Sequence, residues 1–161
     1  YGYNTEGSTL KLTMLKCATY PNPHADEGKH IFTYSLLPHI GDFREAGVIQ
    51  EAYSLNQPLE AVHVNSGDGT LPGTYSLVSS DSPNVMIETV KKAEADGSMI
   101  VRLYEAFDRR SKAVISVAEG FKKAYLCNLL EDELEELPFD GTKLPLPVRN
   151  FEIITLKFTR E

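Results

Sequence analysis

Alternation of apolar and polar residues with a period of two runs through much of the chain. The stretch 9–16 places Leu10, Leu12 and Met14 on one face, and the stretch 30–37 repeats the pattern after a proline-rich loop. This period is typical of strands with one buried face. We expect the two strands to pair antiparallel across the loop, with one face on a core and the other in water.

One segment, 42–55, carries apolar residues at intervals of three and four, which predicts a helix. Asp42 is the expected N-cap, and Glu45 three positions later completes a capping-box pattern. Gly47 weakens the helix, and Asn56, two residues before a proline, ends it.

Short strands are predicted for the second half of the chain. The dipeptide Asp96-Gly97 between two alternating runs is a strong hairpin signal. Closely spaced strands with polar turns are typical of an all-β sandwich. The turn-rich stretch 65–73 is the best candidate for a domain boundary. The predicted strands are 85–92, 99–105, 113–117, 124–130 and 151–158.

Composition excludes several functions. Among 161 residues, 16 are Lys or Arg and 23 are Asp or Glu, which gives a net charge of −7. An acidic surface opposes binding to nucleic acid or to anionic lipid, and no apolar run approaches the ~20 residues of a membrane helix. Since the first residue is Tyr1 and not Met, we expect this chain to be part of a longer protein. Cys17 and Cys127 are interpreted as buried thiols of a reducing compartment.

Three clusters carry residues capable of chemistry. His24, Asp26, Glu27 and His30 offer imidazole and carboxylate groups that suit a divalent metal, but a proline loop favours a solvated polar turn. His39 and Asp42 form a possible catalytic or ligand-binding pair, although helix capping is the favoured role of Asp42. Arg102 and Glu105 lie on opposite faces of one strand, and we favour a structural ion pair there over glycosidase carboxylates.

A series of stretches, in order from end to end, resembles the C-terminal β region of glycoside hydrolase family 38 α-mannosidases of the cytosolic and bacterial type. The sequence letters of each stretch are specific only as an ordered series. The stretches are 10–16, 28–39, 46–56, 88–94, 101–106, 126–131 and 151–153, with Tyr1-Gly2-Tyr3 matching the approach to the region.

The resemblance implies a mostly β fold. Residues 1–64 would be the end of a large β super-sandwich of the galactose-mutarotase-like kind, with one helix. Residues 65–83 would be a linker, and residues 84–161 a small terminal β-sandwich.

The resemblance also implies a function for the whole protein: a retaining, metal-dependent exo-α-mannosidase, in which an Asp nucleophile forms a covalent glycosyl-enzyme. Zinc, or another divalent ion such as cobalt, would bind the sugar hydroxyls. The catalytic residues and the metal ligands would belong to N-terminal catalytic and helical domains of the same chain. This region would support the catalytic domain, and possibly the pocket rim or an oligomer interface.

Within this region the resemblance implies no catalytic residue and no metal ligand. The family's His-x-Asp metal pair follows a barrel strand, so His24 and Asp26 share its spacing but not its place. Lys16 and His39 are the candidates for the rim of the substrate pocket. We expect α-mannoside oligosaccharides to reach this region only through the full enzyme, a cytoplasmic homo-oligomer that binds neither nucleic acid nor membrane.

Two other functions remain open. A free-standing carbohydrate-binding β-sandwich is the main alternative, although the absence of Trp removes the usual stacking platform. A small independent hydrolase would need a metal at His24, Asp26, His39 and Asp42, and is the least favoured.

Overall fold

The computed structural model describes residues 2–65 and 67–160. The chain divides into two compact units, Tyr1–Val62 and His63–Glu161. In chain order the elements are β1 (Gly2–Glu6), β2 (Thr9–Thr13), α1 (Val48–Asn56), β3 (Val78–Ser80), β4 (Val85–Lys92), β5 (Met99–Glu105), β6 (Ser111–Val117), β7 (Lys123–Cys127), β8 (Glu133–Leu137), β9 (Lys143–Val148) and β10 (Ile153–Thr159). The mostly β fold predicted from the sequence is confirmed, and the described residues contain one α-helix.

The first unit contains a hairpin in place of the predicted pair of strands. β2 pairs antiparallel with β1, in a register that joins Gly2 to Thr13 and Glu6 to Thr9. The prediction that 30–37 forms a strand against β2 is wrong. A strand needs a neighbour for its backbone N–H and C=O groups, and within the described chain 30–37 pairs with none.

The helix begins later than its sequence pattern predicts. The Oδ1 atom of Asp42 accepts hydrogen bonds from the backbone N–H groups of Arg44 (2.8 Å) and Glu45 (3.1 Å). Asp42 therefore caps a turn, and the helix itself starts at Val48. Gly47 separates the two because its φ of 63° lies in the left-handed region, which interrupts a right-handed helix.

The second unit is a sandwich of two antiparallel sheets. One sheet has five strands in the order β4-β5-β10-β7-β8, and the other has three in the order β3-β6-β9. Inward-facing residues of both sheets form one core, which includes Leu103, Ile115, Leu144 and Phe158. Among the described residues, every buried apolar side chain lies at Val85 or beyond.

Strands β4 and β5 have the predicted bounds, and β6, β7 and β10 differ from prediction by a few residues. Strands β3, β8 and β9 were not predicted as such. β3 lies in the stretch interpreted as a linker, and β8 lies in the acidic run 131–136. The helix of the described chain is too short and too polar to cross a membrane.

Candidate functional site

The two residues proposed for a substrate rim lie in the first unit. Lys16 follows β2 and His39 precedes the turn capped by Asp42, and both are exposed. The hydrogen bonds that Glu45 and Arg44 donate to Asp42 hold the pKa of its carboxyl below its usual value, and His39 adds a smaller electrostatic contribution. His39 and Asp42 are therefore electrostatic neighbours, while the assignment of a rim to Lys16 and His39 stays a prediction.

The histidine-rich loop is a set of local polar contacts. The Nδ1 atom of His24 lies 2.9 Å from Oε1 of Glu27, and Nε2 of His30 lies 2.7 Å from the carbonyl oxygen of Asp26. Sequence alone suggested no partner that would orient either imidazole ring, and the structure provides one for each. Within residues 2–65 and 67–160, no three or more His, Cys, Asp or Glu side chains converge as a metal site would require.

Arg102 and Glu105 are not partners, which corrects the expected ion pair. The guanidinium of Arg102 lies 3.5 Å from the carboxylate of Glu131, and its Nη2 donates a hydrogen bond to the carbonyl of Leu129. Glu131 also accepts from Nζ of Lys91 (2.9 Å) and from the backbone N–H of Glu94 (2.8 Å). These bonds attach the β7–β8 turn to β4 and β5 and lower the pKa of Glu131, chiefly through the Glu94 and Lys91 contacts.

Glu105 is a buried carboxylate, 1% exposed, that has neutral hydrogen-bond donors around it. It accepts from Nδ2 of Asn84 (2.8 Å) and from the backbone N–H groups of Phe107 (2.8 Å) and Phe151 (3.0 Å). Burial alone would raise the pKa of this carboxyl, but the donated hydrogen bonds outweigh it, so the pKa is lowered. Glu105 thus connects the start of β4, the end of β5 and the approach to β10.

A second charged network crosses the outer face of the five-stranded sheet. Lys157, 8% exposed, places Nζ 2.8 Å from Oδ2 of Asp96 and 2.8 Å from Oε1 of Glu133. These contacts raise the pKa of Lys157 and lower that of Asp96. Sequence analysis did not single out this network. A signal was present, since Lys157 lies between Leu156 and Phe158 in a strongly apolar strand.

The two cysteines differ in exposure, which corrects the expectation that both are buried. Cys17 is exposed and Cys127 is buried, and both thiols are free. Cys17 follows β2, whose residues are all exposed, whereas Cys127 lies on an interior strand of the sandwich. Burial raises the pKa of the Cys127 thiol, and the negative charge of Glu133 adds to the effect.

We predict that a disulfide reagent at pH 8 modifies one thiol in the native chain and two in urea. Cys17 should react at least about a hundredfold faster than Cys127, because only a thiolate reachable by solvent attacks the reagent. The Cys17→Ser variant should lose the fast phase and keep the slow one. Rapid labelling of that variant would contradict the burial of Cys127.

Comparison with known proteins identifies the second unit. Residues 84–156 match the family model described as "Glycosyl hydrolases family 38 C-terminal beta sandwich domain". This range begins at Asn84, next to β4, and ends within β10, so it includes all five strands of the larger sheet or most of each.

Curated relatives extend the similarity to nearly the whole chain. Human "Alpha-mannosidase 2C1" is 40% identical over 162 aligned residues, which cover 97% of this chain and 15% of the relative. The mouse protein of the same name is 38% identical over the same shares. "Alpha-mannosidase G" of Dictyostelium discoideum is 31% identical and covers 98% of this chain and 15% of its own length.

The chain therefore spans about 15% of the length of the curated relatives that it matches. The match to the family model and the match to these relatives agree in the strands of the second unit, which both cover. The chain belongs to glycosyl hydrolase family 38, in which residues 84–156 form the C-terminal β-sandwich domain.

Proposed function

We propose that this chain is the non-catalytic C-terminal β region of a retaining, metal-dependent exo-α-mannosidase. The observation that carries the proposal is the similarity to α-mannosidases over 97% of this chain and only 15% of the relatives. Catalytic and helical domains of the same protein would supply the nucleophile and the ligands for zinc or cobalt. The substrates would be α-mannoside oligosaccharides.

The role we propose for the first unit is support of those domains. Its apolar side chains are widely exposed: Ile31 is 82% exposed, Leu36 72% and Ile40 97%. Apolar surface on this scale is typical of a face that another part of a protein covers. The alternating stretch 30–37 would become a strand of the large β super-sandwich once a neighbouring strand of the same protein offers its backbone groups.

We further propose Lys16 and His39 as residues near the rim of the substrate pocket of the whole enzyme. The whole enzyme would be a cytoplasmic homo-oligomer that binds neither nucleic acid nor membrane. The net charge of −7 supports the exclusion of nucleic acid, because phosphate binding needs clustered cations.

The proposal is tested with the whole protein and with this chain alone. The whole protein should hydrolyse an aryl α-mannoside with retention of configuration, lose activity on chelation and regain it with zinc or cobalt. Deleting the 161 residues should greatly reduce the yield of soluble, active enzyme, because the surface that they cover would be exposed. This chain alone should show no turnover with either metal.

Two results would overturn the proposal. One is turnover by this chain alone that His24→Ala abolishes, since the catalytic metal would then lie in the histidine loop. The other is full activity of the enzyme without this region. A matched control is His63→Ala, which changes a histidine outside that loop.

A further inference from the structure

A pocket of about 470 Å³ opens on the outer face of the five-stranded sheet, at the end where β4 turns into β5. Its size lies in the range of small-molecule sites, roughly 300–1,000 Å³. Four strands and one turn contribute to its wall. The lining residues used below are Asp96, Ser98, Tyr125, Glu133, Lys157 and Arg160.

The polar groups of the pocket are held in place before any ligand arrives. The ammonium of Lys157 is nine-tenths buried and is fixed between Asp96 and Glu133, each at 2.8 Å. Asp96 also accepts a hydrogen bond from the backbone N–H of Ser98 at 2.7 Å. Both carboxylates remain partly exposed, Asp96 to 44% and Glu133 to 42%, so that oxygen lone pairs face the solvent. Such preorganisation lowers the entropy lost on binding.

The charges in the pocket balance. Asp96 and Glu133 contribute two negative charges, and Lys157 and Arg160 contribute two positive charges. An anion or a cation therefore gains little net Coulomb energy, whereas a neutral ligand with many hydroxyl groups finds both donors and acceptors. The half-buried ring of Tyr125 adds an apolar surface suited to the C–H face of a sugar.

We propose that this pocket binds neutral saccharides. The inference goes beyond the proposed function, because it needs neither a catalytic domain nor a metal. It assigns the sandwich a binding role in addition to a supporting one. Weak, millimolar affinity is expected for a monosaccharide, since the pocket is open to solvent and hydroxyl groups exchange water for protein contacts.

The test is a titration of the ¹⁵N-labelled chain with methyl α-mannoside and an α-linked mannobiose, followed by amide chemical shifts. Saturable shifts should appear at Gly97, Ser98 and Tyr125. Potassium phosphate and putrescine serve as an anion and a cation of small size. Saturation by either ion at these amides, with no response to sugars, would overturn the proposal, as would shifts that grow linearly without saturation.

Two variants and one matched control locate the site. Glu133→Gln and Tyr125→Ala should each weaken saccharide binding about tenfold, because they remove a charged acceptor and the ring surface respectively. Glu135→Gln, on the same strand but outside the pocket lining, should leave affinity unchanged. The two variants remove different contacts, so a folding defect in one leaves the other informative. Equal affinity in all three proteins would refute the site.

Discussion

The Phe158→Ala substitution should destabilise the sandwich by about 4 kcal/mol, the largest effect that we expect from a single change. Phe158 is fully buried on β10, the central strand of the larger sheet. Its ring meets Phe121 and Phe139 edge-on, at centroid distances of 6.1 and 5.3 Å. Removing the ring leaves a cavity and breaks both aromatic contacts.

Urea unfolding followed by circular dichroism measures this loss, since the chain has no Trp for fluorescence. A loss of this size approaches the whole stability of a marginal domain, about 5–15 kcal/mol, so Phe158→Leu provides a milder step of about 1.5 kcal/mol. The control is Leu134→Ala on edge strand β8, where the side chain is 63% exposed and the expected change is under about 0.5 kcal/mol. Equal losses for Phe158→Leu and Leu134→Ala would contradict the assigned core.

The Glu105→Ala substitution should cost about 3 kcal/mol at neutral pH. The change removes a buried carboxylate and leaves the Asn84 amide and two backbone N–H groups, those of Phe107 and Phe151, without an acceptor. Buried polar groups that lose their partner carry a desolvation cost, which hydrogen bonds to neighbouring groups recover only in part. Glu119→Ala is the matched control, because Glu119 is exposed in a turn, and it should change stability by less than about 0.5 kcal/mol.

The pH dependence of the same site has a definite sign. The pKa of Glu105 is lower in the folded chain than the value of about 4.3 for an exposed glutamate. The ionised group therefore stabilises the fold fully above the unfolded pKa, and this contribution disappears as pH falls through the folded pKa. The stability difference between the natural chain and Glu105→Gln should be constant from pH 6 to 8 and shrink below about pH 4. A difference that grows on acidification would contradict the assigned ionisation.

Local patterns predicted the elements that are stable for local reasons. The alternation in β4 and β5 and the Asp-Gly turn between them were sufficient for both strands, because the two are adjacent in sequence and pair with each other. By contrast, β9 contains Pro145 and Pro147, which interrupt a strand pattern. β9 is an edge strand, and Val114 opposite Pro145 directs its own N–H to Asp81, so neither proline removes a needed bond.

The candidate site shows the same division. Every group of the pocket was visible in the sequence, but Asp96, Glu133 and Lys157 are separated by 37 and 24 positions, and no local pattern connects them. Their proximity follows from the pairing of β10 with β5 and β7 and of β7 with β8. In the first unit the periodic pattern of 30–37 led to a wrong prediction, since alternation indicates a strand only where a partner strand exists.

The sequence by itself determined the mostly β class, the acidic charge, the family resemblance and the strands of the β4–β5 hairpin. These depend on composition, on ordered motifs and on the periodicity of neighbouring residues. The tertiary structure alone decided the order of strands in the two sheets, the burial of Glu105, the exposure of Cys17 and the balanced charges around Lys157. Each of these depends on contacts between residues distant in the chain, because burial and electrostatics are properties of a folded environment and not of a residue type.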